Sequence, residues 1–185
     1  MTGGAARKGP IHGSGVPIET YRADARALSP SDFEELHGTA FLLCTAAELR
    51  EPTGPAVTEV NLAGFDEPVS EQTSSLSLLA YPVRRTQRSV GHLVTVGRTS
   101  NNDVVIPDLS VSRFHAFLKR GENGQLQIQD AKSTNGSAVN GSSVPAQGLG
   151  PPLDLKRGDN VRLGQIELTF LDAPGLQDFV NAQAG

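Results

Sequence analysis

The sequence has little of several residue types, and each scarcity excludes a class of protein. Its 185 residues contain no tryptophan, one methionine and one cysteine, Cys44. A lone cysteine cannot form an internal disulfide or a cysteine-rich zinc site, so a reducing compartment and no bound metal or cofactor are predicted. The longest continuous apolar run, 40–44, is far shorter than the ~20 residues that a membrane-spanning helix needs. No membrane span is therefore predicted.

The sequence also lacks an excess of positive charge. Its 16 Lys and Arg residues are outnumbered by 20 Asp and Glu residues, which gives a formal net charge of -4. Nonspecific nucleic-acid binding needs a basic field, so nucleic acid is not an expected partner. The N-terminal stretch has no apolar run of the ~7–15 residues found in secretory signals, which favours a cytoplasmic protein. The basic clusters at 84–88, 119–120 and 156–157 are predicted to be solvated strand ends.

Composition divides the chain near residue 75. Residues 1–19 have almost no side chains that could bury surface, so a disordered tail is predicted there. Residues 20–75 are rich in Gly, Pro, Ser and Thr and form an N-terminal extension whose role the sequence does not assign.

Local patterns within the extension suggest some regular structure. Ser31 and Glu34 fit a capping box at the start of a short helix that Gly38 would close. The apolar run 40–44 suits either a continuation of that helix or a strand, because short apolar runs fit both templates. The pattern at 57–65 suits either a strand or a surface loop.

From residue 75 onward, apolar and polar residues alternate with a period of two. The alternating segments are short and are separated by turn signals such as GENG, STNG, NGSS and KRGD. No helix-length period lies between them, so an all-β domain is predicted, an antiparallel sandwich or barrel. The tail 173–185 favours a short helix with Leu176, Phe179 and Val180 on one face, covering an edge.

A series of short motifs lies along this alternating region. In order they are Gly97 and Arg98 after a strand, Asn102 and Asp103 before an apolar run, SRFH at 112–115, STNG at 133–136, VNG at 139–141, and Gly158 with Asp159 before VRLG. Their order and spacing resemble the forkhead-associated (FHA) domain over roughly residues 76–172. The resemblance implies an FHA-type β-sandwich of two twisted, mainly antiparallel sheets that recognises phosphothreonine peptides.

The resemblance also implies a set of binding residues. A phosphothreonine carries about -1.5 to -2 charges and three acceptor oxygens at pH 7, so its site needs donors. Arg98 is expected to supply a guanidinium fork and Ser112 a neutral hydroxyl donor. Arg113 is expected to contact the phosphate or the peptide after it. Thr134 is expected to line the phosphothreonine pocket and Asn135 to bind the peptide backbone.

Three further residues are expected to support the site without touching the ligand. The resemblance makes His115 a structural histidine that braces the loops. A hydrolase pairing of Ser112 with His115 is unfavourable, because residues three apart on a strand project to opposite faces. Gly97 and Gly136 are predicted at backbone positions that need a positive φ, together with Gly141 and Gly158. No enzymatic activity is expected.

The implied function is recruitment of a phosphothreonine-containing protein in signalling. The expected partner is a protein phosphorylated by a Ser/Thr kinase, or the kinase itself. A phosphorylation-independent scaffold or oligomerisation domain is the alternative. The segment 70–76 suits either an ordinary Ser/Thr-rich linker, which its composition favours, or a phosphorylation site. Thr73 is followed at the third position by Leu76, the spacing that FHA domains commonly read, and in the second case phosphorylated Thr73 would mediate self-association.

Overall fold

Two packed β-sheets and a layer of short helices make up the part of the chain that the structure describes. The computed structural model describes residues 14–49, 77–87, 89 and 91–183. The strands are β1 (Val16–Pro17), β2 (Ala40–Thr45), β3 (Leu78–Pro82), β4 (Val94–Gly97), β5 (Val104–Val105), β6 (Ala116–Arg120), β7 (Leu126–Asp130), β8 (Ser137–Val139), β9 (Ser142–Ser143), β10 (Leu153–Asp154), β11 (Asn160–Leu163) and β12 (Ile166–Asp172). The helices are α1 (Arg22–Ala27), α2 (Pro30–His37) and α3 (Ala173–Ala182), with 3-10 turns at Ile18–Tyr21 and Ala46–Glu48.

The strands form two mainly antiparallel sheets packed as a sandwich, which confirms the predicted fold class. The five-stranded sheet has the order β10-β7-β6-β4-β5, and the seven-stranded sheet has the order β1-β3-β2-β12-β11-β8-β9. All neighbouring strands are antiparallel except β4 and β5, which pair in parallel through Val96 with Val104 and Gly97 with Val105.

The main hydrophobic core lies between the two sheets. Alternate residues of facing strands point into it, for example Val96 of β4, Leu118 of β6 and Leu168 of β12. This is the burial pattern that the two-residue period predicted, since successive strand residues face opposite sides of a sheet.

Strand β2 is buried on both faces, which explains its continuous apolar sequence. Leu42 and Cys44 point into the core between the sheets. Phe41 and Leu43 point the other way, into a second core that the helices cover. A strand covered on both faces loses the alternation that identifies half-buried strands, so periodicity left helix and strand open here.

The helices pack on the outer face of the seven-stranded sheet. The second core joins Tyr21, Phe33 of α2, Phe41 of β2, and Leu176 and Val180 of α3. The predicted C-terminal helix is therefore present. It covers a sheet face and α1 and α2, rather than a sheet edge.

Helix α2 starts earlier than the sequence predicted. Ser29 is the N-cap, its hydroxyl accepts a backbone N–H of the first turn at 3.2 Å, and Pro30 occupies the first helical position. The predicted capping box of Ser31 and Glu34 is therefore wrong, because both residues lie inside the helix. Gly38 ends the helix with a φ of 103°, as expected.

The structure also corrects the predicted boundaries. Val16 and Pro17 pair with Ala80 and Leu79, so the end of the predicted disordered tail 1–19 is a strand. Strand β2 lies between β3 and β12, so a boundary at residue 75 separates strands that belong to one sheet. Composition missed this because both contacts join distant parts of the chain. The segment 57–65 and Thr73 lie outside the described residues.

Candidate functional site

Loops at one end of the five-stranded sheet bring the five predicted binding residues together. They follow β4, precede β6 and connect β7 to β8, and they surround an open cavity of about 520 Å³. The cavity is lined by Arg98, Leu109, Ser110, Val111, Ser112, Arg113, Phe114, Ala131, Lys132, Thr134 and Asn135. Three of the separate sequence motifs, at 97–98, 112–115 and 133–136, therefore contribute to one surface.

The Arg98 guanidinium is fixed from behind by backbone. Arg98 follows the last residue of β4, and its backbone N–H donates to the carbonyl of Ser112 at 3.0 Å. Its Nε donates to the carbonyl of Val111 at 3.1 Å. Both terminal nitrogens keep their hydrogens for another acceptor, and a guanidinium presents them in the planar fork that matches phosphate oxygens.

Ser112 connects two of the loops. Its Oγ accepts the backbone N–H of Thr134 at 3.0 Å and lies 3.4 Å from the Thr134 hydroxyl. A serine hydroxyl that accepts one bond still has its proton to donate. The structure thus places a neutral donor beside the charged donor of Arg98.

Asn135 is held by the loop that precedes Ser112. Its Nδ2 donates to the Ser110 carbonyl at 2.8 Å. The buried Asp108 carboxylate in turn accepts from the backbone N–H and the hydroxyl of Ser110, at 2.7 and 2.6 Å. These bonds fix the Asn135 amide, whose second N–H and carbonyl oxygen can pair with an extended backbone.

His115 is buried and hydrogen-bonds to the backbone of two loops. Its Nδ1 accepts the backbone N–H of Ser112 at 2.9 Å, and its Nε2 lies 3.2 Å from the Gly136 carbonyl. A backbone N–H only donates, so Nδ1 is the acceptor and the proton is on Nε2. Burial lowers the pKa of His115, which favours this neutral form. The Ser112 hydroxyl instead contacts Thr134, so no nucleophile and base pair exists here.

Asp130 fixes the start of the loop that carries Thr134. Its carboxylate accepts from the backbone N–H and hydroxyl of Ser133, at 2.9 and 2.6 Å, and from the Ser137 hydroxyl at 2.6 Å. Burial alone would raise its pKa, but these hydrogen bonds hold the pKa below its ordinary value. The loop is therefore tied down by an ionised carboxylate.

The prediction of a positive φ is right for three glycines and wrong for Gly97. Gly136, Gly141 and Gly158 have φ values of 73°, 80° and 87°, and Gly97 is not among the glycines with positive φ. A Cβ on Gly97 would lie 2.4 Å from the Arg113 carbonyl oxygen. Glycine is needed at 97 because two backbone segments approach closely, a requirement that sequence alone does not reveal.

Leu109, Phe114 and Lys132 are among the cavity residues that the sequence did not assign to binding. Leu109 and Phe114 are large apolar side chains with exposed fractions of 60% and 44%. Lys132 lines the cavity with a φ of 63°, a conformation that residues other than glycine rarely adopt. The apolar residues in the turn-rich stretch around 107–115 could have indicated a binding surface, whereas nothing in the sequence distinguishes Lys132.

The charge of the cavity suits an anion. Arg98, Arg113 and Lys132 line it, and none of its described lining residues is acidic. Arg113 is exposed, and its carbonyl is fixed by Asn102 Nδ2 at 2.7 Å and the Thr99 hydroxyl at 2.9 Å. Within the described ranges, no group of three or more His, Cys, Asp and Glu side chains could hold a metal. Across those same residues, no helix has the length and apolarity to cross a membrane.

Comparisons with known proteins identify the region that contains this cavity. Residues 94–164 match the FHA domain family. The chain is 35% identical over 127 residues to the ABC transporter ATP-binding/permease protein Rv1747 of Mycobacterium tuberculosis, covering 69% of this chain and 14% of the transporter. It is 36% identical over 84 residues to the glycogen accumulation regulator GarA of Mycolicibacterium smegmatis, covering 45% of this chain and 49% of GarA.

A solved structure gives a similar match. The NMR structure of the FHA-2 domain from the M. tuberculosis transporter Rv1747 is 33% identical. The match covers 60% of this chain and 93% of that chain, with a TM-score of 0.38. The chain spans about half of GarA and a smaller part of the transporter.

Proposed function

The chain carries a domain of the FHA family, which binds phosphothreonine peptides, and on this basis we propose that Arg98, Ser112, Arg113, Thr134 and Asn135 form its binding site. Arg98 and Ser112 bind the phosphate, Thr134 contacts the phosphothreonine, and Asn135 pairs with the peptide backbone. Arg113 contacts the phosphate or the residues after it. Gly97, His115 and Gly136 support the loops.

The observation that carries this proposal is the orientation of Arg98. Its Nε is held by the Val111 carbonyl at 3.1 Å, so both terminal nitrogens are available in a cavity that also contains the Ser112 hydroxyl. A fixed guanidinium next to a neutral hydroxyl donor matches a phosphate monoester in charge and in donor number.

The proposal is tested with a fluorescent phosphothreonine peptide pool and the Arg98→Ala variant. We expect binding to weaken by roughly 2–4 kcal/mol, the effect of removing one partner of a hydrogen-bonded charge pair. The thermal transition should stay in place, because Arg98 lies at a loop and not in the core. Lys156→Ala removes an exposed cation elsewhere on the domain and is the matched control.

Two outcomes would contradict the proposal. Unchanged affinity in a folded Arg98→Ala protein would show that another group binds the phosphate. Equal binding of the pool before and after phosphatase treatment would instead favour a phosphorylation-independent scaffold. A phosphoserine pool should bind more weakly by about 1–3 kcal/mol, because a fitted pocket senses one methyl group.

The proposed role is that of a non-catalytic reader that recruits a phosphorylated protein. Phosphopeptide capture by an arginine-bearing loop surface is a recurring mode of recognition. The partner is a protein phosphorylated by a Ser/Thr kinase, or such a kinase. Relatives include a protein named as a regulator and a much longer transporter, so the same domain occurs in different protein contexts. The single cysteine fits a cytoplasmic, reducing setting.

Self-association is a finer part of the proposal. Thr73 lies outside the described residues, with Leu76 at the third position after it. Phosphorylated Thr73 would occupy the cavity of a second molecule and compete with an external phosphopeptide. Light scattering after size exclusion should show a dimer for protein phosphorylated at Thr73. A monomeric mass with undiminished peptide affinity would rule this out.

A further inference from the structure

A second cavity lies at the opposite end of the five-stranded sheet. Strands β4, β6 and β7 each have one end at the candidate phosphate site and the other end at this second cavity, which measures about 520 Å³. A five-residue strand such as β6 spans roughly 17 Å, so the two cavities are distinct surfaces. The binding residues discussed above do not line the second one.

Basic side chains from three separate segments gather around this second cavity. They are Arg84, Arg85, His92, Lys119 and Arg120. The sequence predicted that the clusters at 84–88 and 119–120 are separate solvated strand ends. The fold instead brings them together, because β3 ends where β4 begins and β6 ends at the same place.

Within the described residues, the Arg and Lys side chains of this cavity have no acidic partner. None of the described residues that line the cavity is acidic. Among the ion pairs formed by described residues, none involves Arg84, Arg85, Lys119 or Arg120. The cavity is therefore a region of positive potential on a chain whose net charge is -4.

The Arg120 guanidinium is already oriented at the rim. One terminal nitrogen donates to the Gly124 carbonyl at 2.9 Å, and the other donates to the Thr39 hydroxyl at 2.9 Å. Two of the five guanidinium hydrogens are used in this way, which leaves three for a ligand. A side chain held in place loses less rotamer freedom when it binds an acceptor.

The floor of the cavity is apolar. Buried Val83, Val94 and Leu118 line it, with half-buried Leu126 beside them. A site for a small inorganic anion would need donors on all sides and little space. A cavity of this volume with a cationic rim and an aliphatic floor fits a chain segment that presents carboxylates around an apolar side chain.

From this arrangement we propose that the basic cavity is a docking site for an acidic, unphosphorylated peptide segment of a partner protein. Carboxylates of the segment pair with Arg85, Lys119 and Arg120, and one apolar side chain packs on Val83 and Leu118. This binding is independent of the phosphothreonine site. A partner that engages both ends of the sheet would gain affinity from the second contact, because its local concentration is then high.

The test uses the full chain and a short fluorescein-labelled peptide rich in Asp and Glu with one central Leu. We expect saturable binding at low ionic strength that weakens as salt is added. Arg85→Glu is the main variant, because Arg85 is exposed and forms no described hydrogen bond. We expect it to reduce the affinity at least about tenfold, as charge reversal at a complementary interface does. Arg120→Glu is the second variant and should act in the same direction.

Matched controls distinguish this site from general attraction and from the phosphothreonine site. Lys156→Glu makes the same charge change at an exposed position outside the cavity and should leave the affinity within about twofold. Arg98→Ala should not change acidic-peptide binding even where it abolishes phosphopeptide binding. A peptide with Ser in place of the central Leu should bind more weakly.

Several results would overturn the proposal. These are no saturable binding, an equal loss of affinity in Lys156→Glu and Arg85→Glu, or a loss in Arg98→Ala. Binding to vesicles of anionic phospholipid, lost in Arg85→Glu while the acidic peptide shows no binding, would assign the cavity to a membrane surface instead.

Discussion

The two sheets of the sandwich are built from the chain in different ways. The five-stranded sheet uses only strands between Val94 and Asp154, and both cavities lie at its ends. The seven-stranded sheet collects strands from Val16 to Asp172, and its central pair joins β2 to β12 across more than half of the chain. The five-stranded sheet pairs segments that are close in sequence. The seven-stranded sheet depends on long-range pairing.

This difference separates the loops proposed to bind the ligand from the residues that stabilise the fold. The loops that carry Arg98 and Ser112 connect strands of the five-stranded sheet, and the loop that carries Asn135 leads from β7 of that sheet to β8 of the other. Short motifs of contiguous sequence identify all three loops. The seven-stranded sheet packs against the helices through the second core, which contains Phe33, Phe41 and Leu176. These residues contribute to packing, and no short sequence motif identifies them.

Removal of the N-terminal strands tests the comparison most severely. A chain limited to 76–172 lacks β1, β2 and all three helices, so β3 loses both neighbouring strands, β12 loses one of its two, and both cores lose packed residues. We expect no cooperative thermal transition, although all of the binding motifs are present. Circular dichroism during heating is the measurement.

The control for that experiment is a chain that begins at residue 14 and keeps all of the described strands. A cooperative transition of 76–172 at the same temperature as this control would show that β2 is dispensable. The strands of both sheets that lie within 76–172 would then be sufficient for folding.

A single substitution in β2 tests the same dependence with a smaller effect. Phe41 is fully buried in the second core. Phe41→Ala should lower the free energy of unfolding by about 3–5 kcal/mol, because it removes apolar contacts and leaves a cavity. Urea titration measures the change, and Leu36→Ala, at a side chain with an exposed fraction of 57%, is the matched control. A loss below about 1 kcal/mol would mean that the helical layer adds little.

The converse test changes a loop and leaves the cores intact. Ser112→Ala removes the hydroxyl that accepts from the Thr134 backbone and faces the cavity. Phosphopeptide binding should weaken by about 1.5–3 kcal/mol, the usual contribution of a hydrogen bond to a charged group. Titration of the labelled peptide measures it. Ser142→Ala, at an exposed serine of β9, should bind as the unaltered chain does, and a matching loss in both variants would refute the assignment.

The smallest expected effect is the dependence of the free energy of unfolding on pH. Burial lowers the pKa of His115 in the folded chain, while the unfolded chain keeps a value near 6.5. Below pH 6.5 the unfolded state binds a proton that the folded state does not, so stability falls as the pH falls towards the folded pKa. It is fully regained above pH 6.5. The slope is at most about 1.4 kcal/mol per pH unit.

Urea titrations between pH 5 and 7.5 measure this slope. The exposed His92 provides the control, because His92→Gln should keep the slope. His115→Gln should reduce the slope if that variant folds. An unchanged slope in folded His115→Gln would assign the pH dependence to other groups.

Strands with clean alternation could be predicted from the sequence in both sheets. The segment LQIQD is a strand over Leu126–Asp130, and IELTFLD is a strand over Ile166–Asp172, because clean alternation between turns leaves no competing structure. The start of α2 was misplaced because Ser29 and Ser31 both suit an N-cap, and only Pro30 favours the earlier position. Strand β1 was missed because its two residues are ordered by pairing with β3.

The candidate site, like the fold, could be predicted from the sequence only in part. Motif order predicted which residues converge, and the structure brings all five of them to one cavity. It could not predict that the carbonyls of Val111 and Ser110 hold Arg98 and Asn135, because any residue supplies a backbone carbonyl. The gathering of basic clusters at the other end was likewise invisible, since the sheet geometry and not the sequence spacing makes them neighbours.

Because Cys44 is buried, the reactivity of its thiol measures local unfolding around β2. Cys44 is the chain's only cysteine, and the residue is 4% exposed within β2. Burial, with the nearby Glu48 charge, raises the pKa of this thiol to about 11. A thiol in that state does not react with disulfide reagents at neutral pH, so modification requires β2 to leave the sheet. The labelling rate therefore measures how often β2 separates from its neighbouring strands β3 and β12.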